Sequence, residues 1–159
     1  MSEGTLETVN ASVITNSIKF GNISVKVDGG SIESKENALS LNSTPLGGSI
    51  ELKVNNGDIS GESNGIVVDE GVNVEINGGK IKGIFNKGVF SKESIVVVNG
   101  GSIIGKLCGL EAFNNSKINI NGGNFLGSIG LSLGLGSNAE ITGGKFSAEI
   151  GRASCRERV

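Results

Sequence analysis

Five residues recur at one place in a repeating pattern: Asp28, Asn55, Asn77, Asn99 and Asn121. Each follows an apolar-x-apolar triplet and precedes a glycine or its equivalent, and Thr142 takes the same place further on. A carboxamide both donates and accepts hydrogen bonds. A column of them can bond to itself along a stack, or offer a polar strip to a ligand. The turn residue after each member favours the first, a structural ladder. Other chemistry is thinly supplied. The chain has no histidine, which excludes His-based proton transfer, His-ligated metal and the usual serine triads. With no tryptophan or tyrosine, phenylalanine supplies the only rings for stacking on a sugar. Phe125 and Phe146 fall on an apolar core column, while Phe85, Phe90 and Phe113 do not and are the candidate sugar-stacking rings.

The acids do not pair across neighbouring repeats. Asp69 and Glu70 are adjacent but have no acidic counterpart one repeat on, and Glu51 and Glu75 are separated by Lys53 in the pattern. A glycosidase needs two carboxyl groups facing one cleft, so a solvated charged face is the better reading. The Gly-Gly pairs lack the Gly-Lys-Ser/Thr of a phosphate loop and the aspartate of calcium-binding repeats. Cys108, in Leu-Cys-Gly-Leu, has no histidine to activate it and reads as a small buried hydrophobe. No catalytic residue, metal-ligand set or cofactor is therefore expected, and no ligand-binding residue is assigned.

The elements that position the column come from an internal repeat. Val74-Glu75-Ile76-Asn77-Gly78-Gly79-Lys80-Ile81 and Val96-Val97-Val98-Asn99-Gly100-Gly101-Ser102-Ile103 are two of six copies. The place of the first glycine of the pair moves from 29 to 56, 78, 100, 122 and 143, mostly by 22 residues. A worn copy, Val9 to Ile14, precedes them. Each unit holds a Φ-x-Φ segment before Asn-Gly-Gly, one apolar residue after it, and a further Φ-x-Φ segment such as Ile66/Val68. Period-two alternation between glycine turns predicts strands. Three short strands per 22 residues predict an all-β, right-handed parallel β-helix of about six to seven coils, in which like residues stack inward. The long step, from 29 to 56, places an insertion at residues 42–48. Outward-facing Ile95, Val97, Ile104 and Leu126 are expected to expose apolar surface.

A balance of 14 basic and 16 acidic residues leaves no electrostatic footprint for nucleic acid, so no nucleic-acid partner is expected. No run of about 18 apolar residues predicts a membrane span. The last eleven residues, Glu149 to Val159, resemble codon for codon a translated sequencing-library adapter, and all the arginines of the chain lie there. On this reading residues 1–148 form a single β-helix domain, a fragment of a longer protein, and 149–159 are a non-native tail. Excluding the tail removes Cys155 and leaves Cys108 unpaired.

With Φ-x-Φ-Asn-Gly-Gly-x-Φ repeated every 22 residues, the chain resembles pectate-lyase-like right-handed β-helices. It is similar to the Gly-Gly-rich repeat regions of secreted bacterial carbohydrate-binding and adhesin-like surface proteins. The resemblance spans about Val9 to Ala148. It implies an extracellular or cell-surface location and a non-enzymatic stalk or adhesive rod. Its partners would be a polysaccharide or a host or surface protein; apart from the resemblance, the last apolar column, Ile141 and Phe146, is expected to lie uncovered, so that copies associate end to end. Two other functions compatible with the family are a polysaccharide-binding module and a piece of a polysaccharide lyase or hydrolase. The acidic calcium cluster and basic catalytic residue of the lyases have no match here, so no catalytic role is carried over.

Overall fold

The computed structural model describes residues 5–8, 11–15, 21–42 and 48–148. Apolar-x-apolar segments become strands, and each glycine pair or polar turn redirects the chain into the next. The first two strands are β1 (Thr5–Thr8) and β2 (Ala11–Thr15). Coils then follow in threes: β3 (Gly21–Val27), β4 (Ser31–Ser34) and β5 (Asn37–Asn42); β6 (Gly48–Val54), β7 (Asp58–Gly61) and β8 (Ile66–Asp69). Next come β9 (Val72–Ile76), β10 (Lys80–Gly83) and β11 (Lys87–Lys92), then β12 (Ile95–Val98), β13 (Ser102–Gly105) and β14 (Cys108–Phe113). The last are β15 (Lys117–Ile120), β16 (Asn124–Gly127), β17 (Ile129–Leu133), β18 (Asn138–Ile141) and β19 (Lys145–Ala148).

Every strand pairs in parallel with the strand three places away, giving three sheets: β1-β4-β7-β10-β13-β16-β19, β2-β5-β8-β11-β14-β17 and β3-β6-β9-β12-β15-β18. The fold is a parallel β-helix. Strands β6 to β17 form four consecutive coils with no gap in the described residues, flanked by further strands at both ends. No helix among the described residues is long and apolar enough to cross a membrane.

The core is built of columns. Val27, Val54, Ile76, Val98, Ile120 and Ile141 align in the β3 sheet, and Ile32, Ile59, Ile81, Ile103, Phe125 and Phe146 align in the β1 sheet. The interior members are fully buried. Each buried aliphatic side chain stabilises the rod by about 1.5–3 kcal/mol, so stacking dominates its stability. Phe125 and Phe146 stack with ring centroids 4.8 Å apart and an interplanar angle of 12°. The second glycine of each pair supplies the backbone that the turn needs. Gly30, Gly57, Gly79, Gly101, Gly123 and Gly144 all have positive φ, from 80° to 112°. That conformation costs an L side chain but not glycine.

The sequence expectations need three corrections. Residues 11–14 of the worn copy do not belong to the Asn-Gly-Gly segment. Val13 and Thr15 align with Leu39 and Leu41, so β2 is a member of the other Φ-x-Φ sheet, because its alternation matches that column. The insertion is also shorter than residues 42–48. Asn42 pairs with Asp69 and Gly48 with Gly21, because both backbones find parallel partners; residues 43–47 lie outside the described residues. Of the apolar positions expected outside, Ile95 and Leu126 are exposed, but Val97 and Ile104 are half-buried among neighbouring side chains. Residues 9–10, Phe20, the tail 149–159 and its Cys155 also lie outside the described residues.

Candidate functional site

The predicted column is brought together as one continuous chain of hydrogen bonds. Asn55 Nδ2 donates to Asp28 Oδ1 at 2.8 Å and Asn77 Nδ2 to Asn55 Oδ1 at 2.9 Å. Asn99 donates to Asn77 and Asn121 to Asn99, each at 2.8 Å, and the Thr142 hydroxyl donates to Asn121 Oδ1 at 2.9 Å. The direction follows from Asp28. An ionised carboxylate only accepts, so Asn55 must turn its NH2 toward it, and each later amide follows suit. Hydrogen bonds from Asn55 and Lys26 hold the Asp28 carboxyl below its ordinary value, and the Lys26 ammonium sits 3.0 Å away. Glu75 accepts from Asn77 at 2.9 Å and from Lys53, and it too is held low. Each inner amide donates one hydrogen bond to the rung before it and accepts one from the rung after it.

A second ladder, which sequence reasoning missed, runs inside the turn that leads into the β3 sheet. The hydroxyl of Ser94 accepts from Val72 N at 3.3 Å, that of Ser116 from Ser94 N at 3.3 Å and that of Ser137 from Ser116 N at 3.1 Å. The Ser94 and Ser116 hydroxyls in turn donate to the carbonyls of Lys92 and Phe113. Buried Ser91, which replaces an apolar residue in its column, meets Ser116 Oγ at 3.1 Å. The signal was available: serine recurs one residue before β12, β15 and β18.

The rings separate by environment. The Lys87 ammonium lies 4.3 Å from the Phe90 ring centroid and 2.7 Å from Glu111 Oε2. Phe90 is half-buried under that cation, a cation–π arrangement that covers the face a sugar would need. Phe113 is half-buried and lies over Gly134, where a Cβ would come within 2.9 Å of the ring. Neither is the open platform that the sequence allowed. Phe85 is, with 60% of its surface exposed. Ile84 beside it and Leu107, one rung on, are exposed as well. The backbone bonds Phe85 N to Glu62 O and Leu107 N to Asn86 O fix this corner between the β1 and β2 sheets.

A local shift of register puts Phe85 there. Five residues, 84–88, join Gly83 to Val89, where four, 62–65, join Gly61 to Ile66 in the same columns. The next turn of that coil is shorter by one, so the Asn-Gly-Gly column keeps its 22-residue step. The extra residue pushes the corner outward. Counting from Ile66 to Val89 instead of between glycines would have revealed it.

The remaining candidates are structural. Lys92 Nζ reaches Asp69 Oδ2 at 3.3 Å, and Lys53 separates Glu51 from Glu75 on the outer face of the β3 sheet. Among the described residues no three Cys, Asp or Glu side chains converge to hold a metal ion. Cys108 is buried, donates to Leu110 O at 3.1 Å, and its thiol is pushed up to about 12, chiefly by burial and then by Glu111. No protein family, curated protein or solved structure matches the chain.

Proposed function

We propose that the chain is a non-enzymatic β-helical stalk of a secreted or cell-surface bacterial protein, holding other parts of that protein at a fixed distance. One observation carries this reading: all three sheets keep their parallel pairing through every coil from β6 to β17, with like side chains stacked in the core and amides bonded along the outside. Such a rod bends little, because bending one face must open hydrogen bonds or core contacts in several coils. The likeness of the repeat to those of secreted surface proteins supports the location. Spin labels replacing Lys26 and Glu140 sit five rungs apart in one column. They should give one narrow distance near ~24 Å at the backbone. A broad distribution, or recovery of the native protein only from the cytosolic fraction of its cells, would overturn the proposal.

A polysaccharide-binding module is the second reading, favoured by the exposed Phe85 with Ile84 and Leu107 on one corner. An aromatic face flanked by aliphatic groups suits the apolar face of a sugar ring. A glycan array probed with the protein and its Phe85→Ala variant tests it. Binding that disappears in the variant supports this reading; no binding by either refutes it.

A further inference from the structure

The chain contains five Asn-Gly steps: Asn56-Gly57, Asn64-Gly65, Asn77-Gly78, Asn99-Gly100 and Asn121-Gly122. Asn-Gly is chemically the weakest such step, because glycine leaves its backbone nitrogen open to the neighbouring side-chain carbonyl. In four of the five the amide is engaged on both sides. Asn64 donates to Asn37 Oδ1 at 2.9 Å while its own Oδ1 accepts from Lys87 N at 3.1 Å. Asn77, Asn99 and Asn121 each donate to the previous rung and accept from the next. Gly65, Gly100 and Gly122 also donate their N–H to backbone carbonyls.

Asn56 differs from all four in its side chain, and among the described residues its Gly57 N–H is unbonded, as is that of Gly78. In its coil the column reads Asn55-Asn56-Gly57, so Asn55 takes the ladder position and Asn56 stands where the other Asn-Gly-Gly coils have their first glycine. Its side chain is exposed, and among the described residues neither that side chain nor the Gly57 N–H has a hydrogen-bond partner. We infer that Asn56 is a site of spontaneous covalent modification, closing on Gly57 to a succinimide that opens to aspartate and isoaspartate. The Gly57 nitrogen loses its proton and bonds to Cγ of Asn56. The Cγ–Nδ2 bond breaks, and ammonia leaves. Water then adds across one of the two imide C–N bonds, giving aspartate or isoaspartate, with no oxidant or reductant involved. The isoaspartate product lengthens the backbone by one methylene where there is no room. A Cβ at Gly57 would already lie 3.1 Å from the backbone of Gly29 and Gly30 in the preceding coil. Modification therefore loosens the contact between the Asp28-Gly29-Gly30 turn and the Asn55-Asn56-Gly57 turn stacked on it.

At the four bonded sites two hydrogen bonds must open first, which slows them by about thirtyfold relative to Asn56. The test incubates the whole folded protein at mildly alkaline pH. Peptide mass spectrometry follows conversion of amide to acid at each site, and isoaspartate is assayed by enzymatic methylation. A parallel sample is held in denaturant. Conversion confined at first to Asn56 in the folded protein, against similar rates at all five sites in denaturant, is the expected result. The Asn56→Gly variant, which restores the glycine pair of the other coils, should fold and should lose the early product. Conversion of Asn64, Asn77, Asn99 or Asn121 as fast as Asn56, an intact Asn56 in the folded protein, or the same preference for Asn56 in denaturant would each overturn the inference.

Discussion

Ile120 and Ile141 provide an internal comparison, because they are the same residue in the same core column, one coil apart. Ile120 is fully buried, whereas half of Ile141 is exposed. Truncation to alanine removes three carbons, worth about 0.8 kcal/mol each when fully buried, or ~2.4 kcal/mol in transfer. At Ile120 the neighbours Val98, Ile118 and Phe125 are themselves buried and cannot close the hole, so the cavity raises the loss to about 3–4 kcal/mol. At Ile141 half the transfer is already forfeited and the hole opens to solvent, leaving ~1 kcal/mol. For a chain of this size the two losses correspond to falls in melting temperature of about 10 °C and about 3 °C. Circular dichroism melts of the two variants measure them. Hydrogen exchange should show Ile120→Ala loosening β12 and β15 together, since a coil is held by its neighbours. Equal losses at the two positions would refute the claim that burial within the stack sets stability.

Gly101 has φ of 89° and its missing Cβ would lie 2.9 Å from the backbone of the preceding coil, so Gly101→Ala should cost about 2–3 kcal/mol or more. Gly29→Ala meets nothing within 4 Å and should change stability by less than about 0.5 kcal/mol in a urea titration. Asp28 has a folded pKa below its ordinary 3.8, so its stabilising contribution is present above that value and is lost as pH falls through the depressed one. Denaturation midpoints followed from about pH 5 to about pH 2 should therefore fall less in Asp28→Asn, which keeps an acceptor for Asn55, than in the parent. The Cys108 thiol, buried and raised to about 12, should resist iodoacetamide in the folded protein and react on unfolding, as peptide mapping of that residue will show.

The columns were legible in the sequence because stacking imposes identity. A residue directly above another in a parallel sheet shares its environment, so Val54, Ile76, Val98 and Ile120 must all be apolar and Asn55, Asn77, Asn99 and Asn121 can all bond alike. One feature stayed hidden because it does not repeat. The one-residue shift that extrudes Phe85 cancels within its own coil, so it leaves the 22-residue period intact. The serine ladder was overlooked because serine in a turn is usually a solvated residue. Ser94 and Ser116 are nonetheless buried, because each is bonded to the turn of an adjacent coil, a long-range consequence of stacking.

The rings show the same limit from the other side. Phe85, Phe90 and Phe113 all stand off the core columns, and composition alone could not rank them. Phe90 faces outward on the β2 sheet, where Glu111 of the next coil fixes Lys87, and Lys87 then covers the ring. Three residues from two coils make that arrangement, and no single repeat contains it. Phe113 finds space over Gly134 because the coil above has no side chain there. Phe85 has no such cover, since the longer corner carries it past the reach of neighbouring rungs. The stack thus decides which variable residues are absorbed and which remain outside for contact. Among the three rings off the core columns, the one left open to a partner is the one where its coil departs from its neighbours.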